Sequence, residues 1–311
     1  MTRKDLLKRY KNTLVSFVLL LTTLGFGVGA SGEVGEYVKE GLGIAIECVI
    51  PTSFPFMIIS DLYVQYGRPE NIRLLQKAFS TLFGFAPSAL APFICGNICG
   101  FPIGAKMIAD NYEANRLTKE EAERMLPLSN NPSCAFVIGG VGLGIYGNLS
   151  IGILMLISIY TAILICAIIT RKTPDKNHYT DINMRQNYSF VDSVKRAGTS
   201  SIGIISFICI FSVINGLIKK RIKYPPFLYV LYALSEVTNA VKFFSSLHTV
   251  PQHFSLCLSA FSLGFGGVCV GMQASAFTLS SGLSMLKYYR IKILEGLLSA
   301  SVFSILFTVI K

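Results

Sequence analysis

Charge is missing from this chain over lengths that a water-exposed surface does not allow. Asn12 to Gly32 and Ala78 to Ala105 contain no Asp, Glu, Lys or Arg. Met125 to Thr170 runs 46 residues without one, and Phe243 to Leu286 runs 44. A helix needs about 20 apolar residues to cross a bilayer core, so each of the two long runs has room for two passes. Only 14% of the 311 residues are charged, against about 25% in a soluble domain. The chain reads as all-α and polytopic. Composition excludes an ordinary soluble enzyme and a disordered chain.

The charges that remain have a direction. Five basic residues (Arg3, Lys4, Lys8, Arg9 and Lys11) precede the first apolar segment, while Ser31 to Glu40 carries three Glu and one Lys. The positive-inside rule then puts the N-terminus in the cytoplasm and Ser31 outside. The small residues Val28-Gly29-Ala30 resemble a signal-peptide cleavage site, but the length of the run favours an uncleaved first helix. The net charge of +11 sits beside hydrophobic segments, as expected of flanks facing anionic lipid. No stacking aromatics accompany the basic clusters, so nucleic acid is not an expected partner. Trp is absent, and the interfacial belt falls to Tyr10, Tyr63, Tyr66, Tyr146, Tyr224, Tyr229, Tyr288 and Tyr289.

Apolar segments are expected at Leu14–Ala30, Gly41–Tyr66, Ala78–Ala105, Pro132–Gly147, Ser150–Thr170, Thr199–Ile218, Pro225–Phe244, Phe254–Leu286 and Ile291–Ile310. That amounts to about eight transmembrane or re-entrant helical segments in two pseudo-repeats. A capping box at Thr118-Lys119-Glu120-Glu121 starts a short helix, read as a surface helix because of its charges. Arg171 to Arg196 is a polar connector with six basic and three acidic residues, expected in the cytoplasm. Five candidate crossings precede it, but two cytoplasmic ends require an even number. One segment therefore does not cross completely. The candidates are Ala78–Ala105, interrupted by Gly84, Pro87, Pro92, Gly96, Gly100 and Pro102, and the short Pro132–Gly147.

Catalytic and metal chemistry find no motif. The eight cysteines form no CxxC pair, the three histidines have no ligand spacing, and GxSxG, HExxH and P-loop patterns are absent. No enzyme activity, cofactor or metal is expected. What stands out instead is polarity inside apolar runs. Gly100-Phe101-Pro102-Ile103-Gly104-Ala105-Lys106 aligns with Gly267-Val268-Cys269-Val270-Gly271-Met272-Gln273 at a constant offset of 167. Paired, glycine- or proline-interrupted segments point to a transporter binding site, with close helix packing as the structural alternative. The other polar groups are Asn97, Ser129-Asn130-Asn131-Pro132-Ser133, and Ser235-Glu236-Val237-Thr238-Asn239. Amides suit a neutral polar ligand, or helix–helix hydrogen bonding. Lys106 and Glu236 are the charges expected in the interior, as an ion pair between the halves; Glu47 and Asp61 are read as interfacial.

Three of these strings carry a resemblance. Gly100 to Lys106, Glu120-Glu121-Ala122-Glu123-Arg124 and Ser129-Asn130-Asn131 resemble the bacterial sporulation integral membrane proteins of the YlbJ type. That family carries a nucleoside-recognition, or Gate, domain. Glu236-Val237-Thr238-Asn239 and Phe265-Gly266-Gly267 with Gln273 look like its later motifs. Phe101 departs from the tyrosine expected there. The charge pattern gives a tail, first helix and external loop over 1–40; the resemblance, which runs from about Gly41 to Ile310, implies a first Gate-like repeat over 41–170 and a second over 197–311, joined by the connector over 171–196. It also implies a multi-pass bacterial inner-membrane protein of spore formation that recognises or moves a small polar solute such as a nucleoside. The alternative is a non-transporting assembly factor. Expected partners are the bilayer, the solute, and a second copy or another sporulation-membrane protein. The ligand-binding candidates are Asn97, Gly100, Pro102, Gly104, Lys106, Asn130, Asn131, Ser133, Glu236, Asn239, Gly267, Gly271 and Gln273.

Overall fold

A computed structural model describes residues 31–66, 73–172, 189–222, 224–278 and 281–310. The expected first helix Leu14–Ala30, with its orientation, and most of the connector lie outside these residues. Among the described residues every regular element is helical. In the first half these are α1 (Ser31–Ile44), continued through a π-turn into α2 (Ile50–Tyr66), then α3 (Arg73–Phe83), α4 (Leu90–Cys99), α5 (Ile103–Glu113), α6 (Lys119–Ser129), a π-helix (Phe136–Ile145) and α7 (Leu149–Ile169). In the second half they are α8 (Phe190–Arg221), α9 (Pro225–Ser235), α10 (Val237–Ser245), α11 (Gln252–Phe265), α12 (Gly267–Thr278) and α13 (Met285–Ile310).

Among the described residues, four helical stretches are long and apolar enough to cross a membrane: α7, α8, α11 with α12, and α13. A fifth arises if α3 and the stretch Pro87–Cys99, bent by 99°, form one span. The surface of these helices fits lipid. On α7, Ile153, Ile157, Leu164 and Ile168 are exposed while Met155, Ile159 and Ile163 are buried, so the helix is apolar on both sides. A helix apolar all round belongs in a large core or a bilayer. On α13 the polarity is inverted: Ile293, Leu297, Ile305 and Val309 face out, whereas Tyr288, Lys292, Glu295 and Ser299 are fully buried. In water that arrangement would be inside out. The chain is a polytopic helical membrane protein.

The expected surface helix is a correction. The capping box is present, with Glu121 N–H donating to the Thr118 hydroxyl at 3.2 Å and Glu121 Oε2 accepting from Thr118 N–H at 3.1 Å. Yet α6 is buried from Glu121 to Ser129. Lys119 and Glu120 at its start are exposed, but the charges of the buried stretch are met by protein groups. Arg124 donates to the carbonyls of Phe83, Gly84 and Thr170 and lies 3.8 Å over the Phe85 ring. Glu123 accepts from Lys287 Nζ at 2.6 Å and from Ser284 N–H at 3.0 Å.

With its charges latched, α6 packs directly on the α4–α5 turn. A Cβ on Gly96 or Gly104 would run into the Ser129 carbonyl, and backbone cannot move aside as a flexible side chain can. Gly104→Ala should therefore lower stability by about 1–3 kcal/mol, the usual penalty for overpacking. Gly139→Ala, with nothing within 4 Å of the new methyl, should be close to neutral. Cys95, Cys99, Cys166 and Cys269 are buried free thiols, so unfolding in detergent can be followed with a thiol-reactive fluorogenic dye.

Candidate functional site

Four helices stop and restart within the helical core. The first break follows α4 at Gly100, whose φ of +87° suits a residue without a Cβ. The second lies at Asn130 to Ser133, where Pro132 disfavours the helical conformation of the residue before it. The third is Glu236, extended at φ −139° and ψ 127° between α9 and α10. The fourth is Gly266-Gly267, at φ +81° and +80°.

These breaks touch in pairs. A Cβ on Gly100 would sit 2.7 Å from Ser133 N, and one on Gly267 would sit 2.7 Å from the Ser235 carbonyl oxygen. Non-helical backbone at membrane depth must be satisfied by protein or line a cavity, and here both occur. Phe101 N–H donates to the Asn131 carbonyl at 2.9 Å. Asn97 Nδ2 donates to the Leu128 carbonyl at 2.9 Å, and its Oδ1 accepts from Asn131 Nδ2 at 3.0 Å. In the second half a carboxylate performs the same task. Glu236 accepts from Thr238 N–H at 3.0 Å and Asn239 N–H at 2.7 Å, closing the start of α10 as an acidic cap should. Asn239 Nδ2 donates to Ser212 Oγ at 2.9 Å.

A narrow cavity lies where three of the breaks and α12 meet. Its walls are Cys99, Gly100, Phe101, Ser133 and Phe136 from the first half's breaks, Val49 from the π-turn and Ser53 from α2, and Ile204, Ile208, Glu236, Thr238 and Gln273 from the second half. The space for the centre of a water molecule is about 20 Å³, enough for one water. Gln273 is the unsatisfied group there: Nε2 donates only to the Cys269 sulfur at 3.5 Å, and Oε1 has no partner among the described residues.

The sequence candidates separate accordingly. Gly100, Ser133, Glu236 and Gln273 line the cavity. Asn97, Asn130 and Asn131 are buried behind it. Gly267 and Gly271 are packing positions, against Ser235 and the Tyr289 ring, and Gly104 packs on Ser129. Pro102 and Lys106 line a second cleft with Asp110, Asn111, Arg196 and Ser200. The ion pair expected between Lys106 and Glu236 is not formed. Lys106 pairs with Asp110 one turn along α5 at 2.9 Å, the nearest carboxylate it reaches without desolvation, and the Glu236 carboxylate is taken up by amides.

Besides Glu123, whose carboxylate meets Lys287, a buried charge that joins the halves is Lys292, paired with Glu295 on its own helix. Lys292 Nζ donates to Asn131 Oδ1 at 2.5 Å and lies 3.2 Å from Glu295 Oε1, both side chains being fully buried. Its Cε is 3.9 Å from where a Cβ on Gly266 would be, so one lysine touches the second and fourth breaks together. Tyr288, expected at the membrane interface, is instead fully buried and accepts from Asn130 Nδ2 at 3.0 Å. The signal was present in the spacing. Residues 288, 292, 295 and 299 recur at 4, 3 and 4 and share one helix face.

This architecture defines a polytopic helical membrane protein built around touching interrupted helices. Over 149 residues the chain is 34% identical to the sporulation integral membrane protein YlbJ of Bacillus subtilis (strain 168), a match covering 46% of this chain and 36% of that protein. The chain thus spans little more than a third of that relative's length. No family model and no solved structure matches it.

Removing one member of a buried ion pair strands the other, at about 3–5 kcal/mol, whereas replacing both by apolar groups is often neutral. Lys292→Met alone should therefore destabilise more than Lys292→Met combined with Glu295→Met. Dye-monitored melting of both variants in detergent measures the difference.

Proposed function

We propose that the chain is a membrane protein of spore formation that recognises and moves a small polar solute through the cavity between its halves. The observation that carries this reading is Gln273. It lines a cavity walled by three helix breaks, and its buried amide oxygen has no hydrogen-bond partner among the described residues. An unsatisfied buried acceptor costs about 1–3 kcal/mol, and a solute offering a donor would recover it. Ser133, Thr238 and Glu236 supply further polar edges around an otherwise apolar lining. That combination suits a neutral molecule with several hydrogen-bonding groups, and a nucleoside is the first candidate. The similarity to a sporulation membrane protein supports the biological setting.

The halves are read as pseudo-repeats matched by element order. The α4–α5 break then corresponds to α9–α10, and the break after α6 to that between α11 and α12. Under this matching Gly100 answers to Glu236, not to Gly267. In alternating access such halves rock about the site, and the present narrow cavity is the closed form.

One observation favours an assembly factor instead: the Asn97, Asn131 and Lys292 side chains bond one another and leave little space around them. Proteoliposomes decide between the two. Transport predicts protein-dependent uptake of labelled uridine or adenosine, reduced about tenfold or more by Gln273→Ala with folding intact. An assembly factor predicts no uptake of either nucleoside by the parent protein.

A further inference from the structure

The buried face of α13 has more polarity than the cavity uses. Tyr288, Lys292, Glu295 and Ser299 are each fully buried along it. Glu295 is the least provided for. Lys292 Nζ stands 3.2 Å from Oε1, but neither carboxylate oxygen accepts a well-formed hydrogen bond among the described residues. The hydroxyls of Ser129 and Ser299 and the amide oxygen of Asn130 have no partner either. Glu236 is the internal comparison, a buried carboxylate holding two backbone N–H groups. A carboxylate inside a membrane with one ionic neighbour and no backbone donor gains most from a proton.

We propose that Glu295 is a proton-binding site, and that loading it drives the opening of the cavity through Lys292 and Asn131. The coupling half rests on the transport reading above; the proton site itself does not. The step is a single proton transfer: a hydronium ion gives a proton to a carboxylate oxygen of Glu295, its own O–H bond breaking as the carboxyl O–H forms, and a water molecule is left. The pair then passes from neutral to one positive charge. In the closed form that leaves the Lys292 ammonium uncompensated in a fully buried site, which is unfavourable. A ligand shifts a conformational equilibrium only by binding one state better than another. The proton binds better to arrangements in which Lys292 has left this site. Lys292 is held by Asn131, and Asn131 belongs to the same break as Ser133 in the cavity wall. Movement of the lysine is thereby movement of the wall.

The titratable groups facing Glu295 are few. On α13 itself they are Lys292 and Tyr288, and from α7 Cys166. From the break after α6 come the neutral Asn130 and Asn131, and α6 itself carries Glu123, held by Lys287 at its far end. On α11 the residue against Glu295 and Ser299 is Gly264; His253 stacks on Phe307 at the other end of the helix. On α12, Cys269 is a neighbour of Glu236.

Dicyclohexylcarbodiimide tests the site because it labels protonated carboxyls in apolar surroundings. With the protein in lipid vesicles, mass spectrometry should find the adduct on Glu295 at acidic pH, falling at least tenfold at alkaline pH. No adduct, or equal labelling at both, overturns the proposal without any variant having to fold. Infrared difference spectra after a pH step provide a second reading: a carboxylic-acid carbonyl band present in the parent and lost in Glu295→Gln supports the site, and an unchanged band overturns it. For coupling, an inward proton gradient should speed uridine uptake several-fold in the parent and not in Glu295→Gln. Uptake indifferent to the gradient overturns the coupling and leaves transport standing. Labelling that titrates while uridine is not taken up leaves the proton site standing and removes the transport reading.

Discussion

A helix that stops inside a bilayer exposes peptide groups that lipid cannot satisfy, and this requirement organises the molecule. Each of the four breaks has to find donors and acceptors within the protein. Two solutions are used. At Gly100 and Asn131 the broken backbones and amide side chains bond one another. At Glu236 a carboxylate closes the exposed start of the next helix. Because the breaks touch in pairs, satisfying one fixes its neighbour, and the cavity is the space left between the two pairs.

Lys292 adds a link between those pairs. Its ammonium reaches Asn131 while its stem passes Gly266, so the last helix of the second half holds a break of the first. In lipid, the apolar outer face of α13 costs nothing and its polar inner face is sheltered. A rearrangement that moved Lys292 would disturb a break in each half at once.

Much of the frame was legible in the sequence. Charge-free runs gave the membrane and the helices, and Pro132 beside the two asparagines marked a break. Gly100 interrupts the stretch Ala78–Ala105, whereas Phe254–Leu286 reads as one segment through Gly266-Gly267. The apolar stretch Pro225–Phe244 was read as one segment, because Glu236 was taken as an ion-pair partner rather than a cap. Burial was harder to see. A capping box says where α6 begins, but not that Arg124 will find carbonyls 41 and 46 residues away in sequence. Lys292 and Glu295 fell at the edge of a segment read as starting at Ile291. With the helix beginning at Met285, they sit within it, and their spacing with Tyr288 and Ser299 becomes a buried stripe.

The central claim is that water and solute reach a cavity bounded by the touching breaks of both halves. Single cysteines at Ser133, Thr238 and Gln273, in a cysteine-free background in vesicles, test it with a small water-soluble thiol reagent. The account predicts modification at all three and none at a cysteine replacing Ser158, which is buried on α7. Failure of all three to react, under conditions that label an exposed control at Ser150, would mean that the breaks are closed packing and would contradict the account.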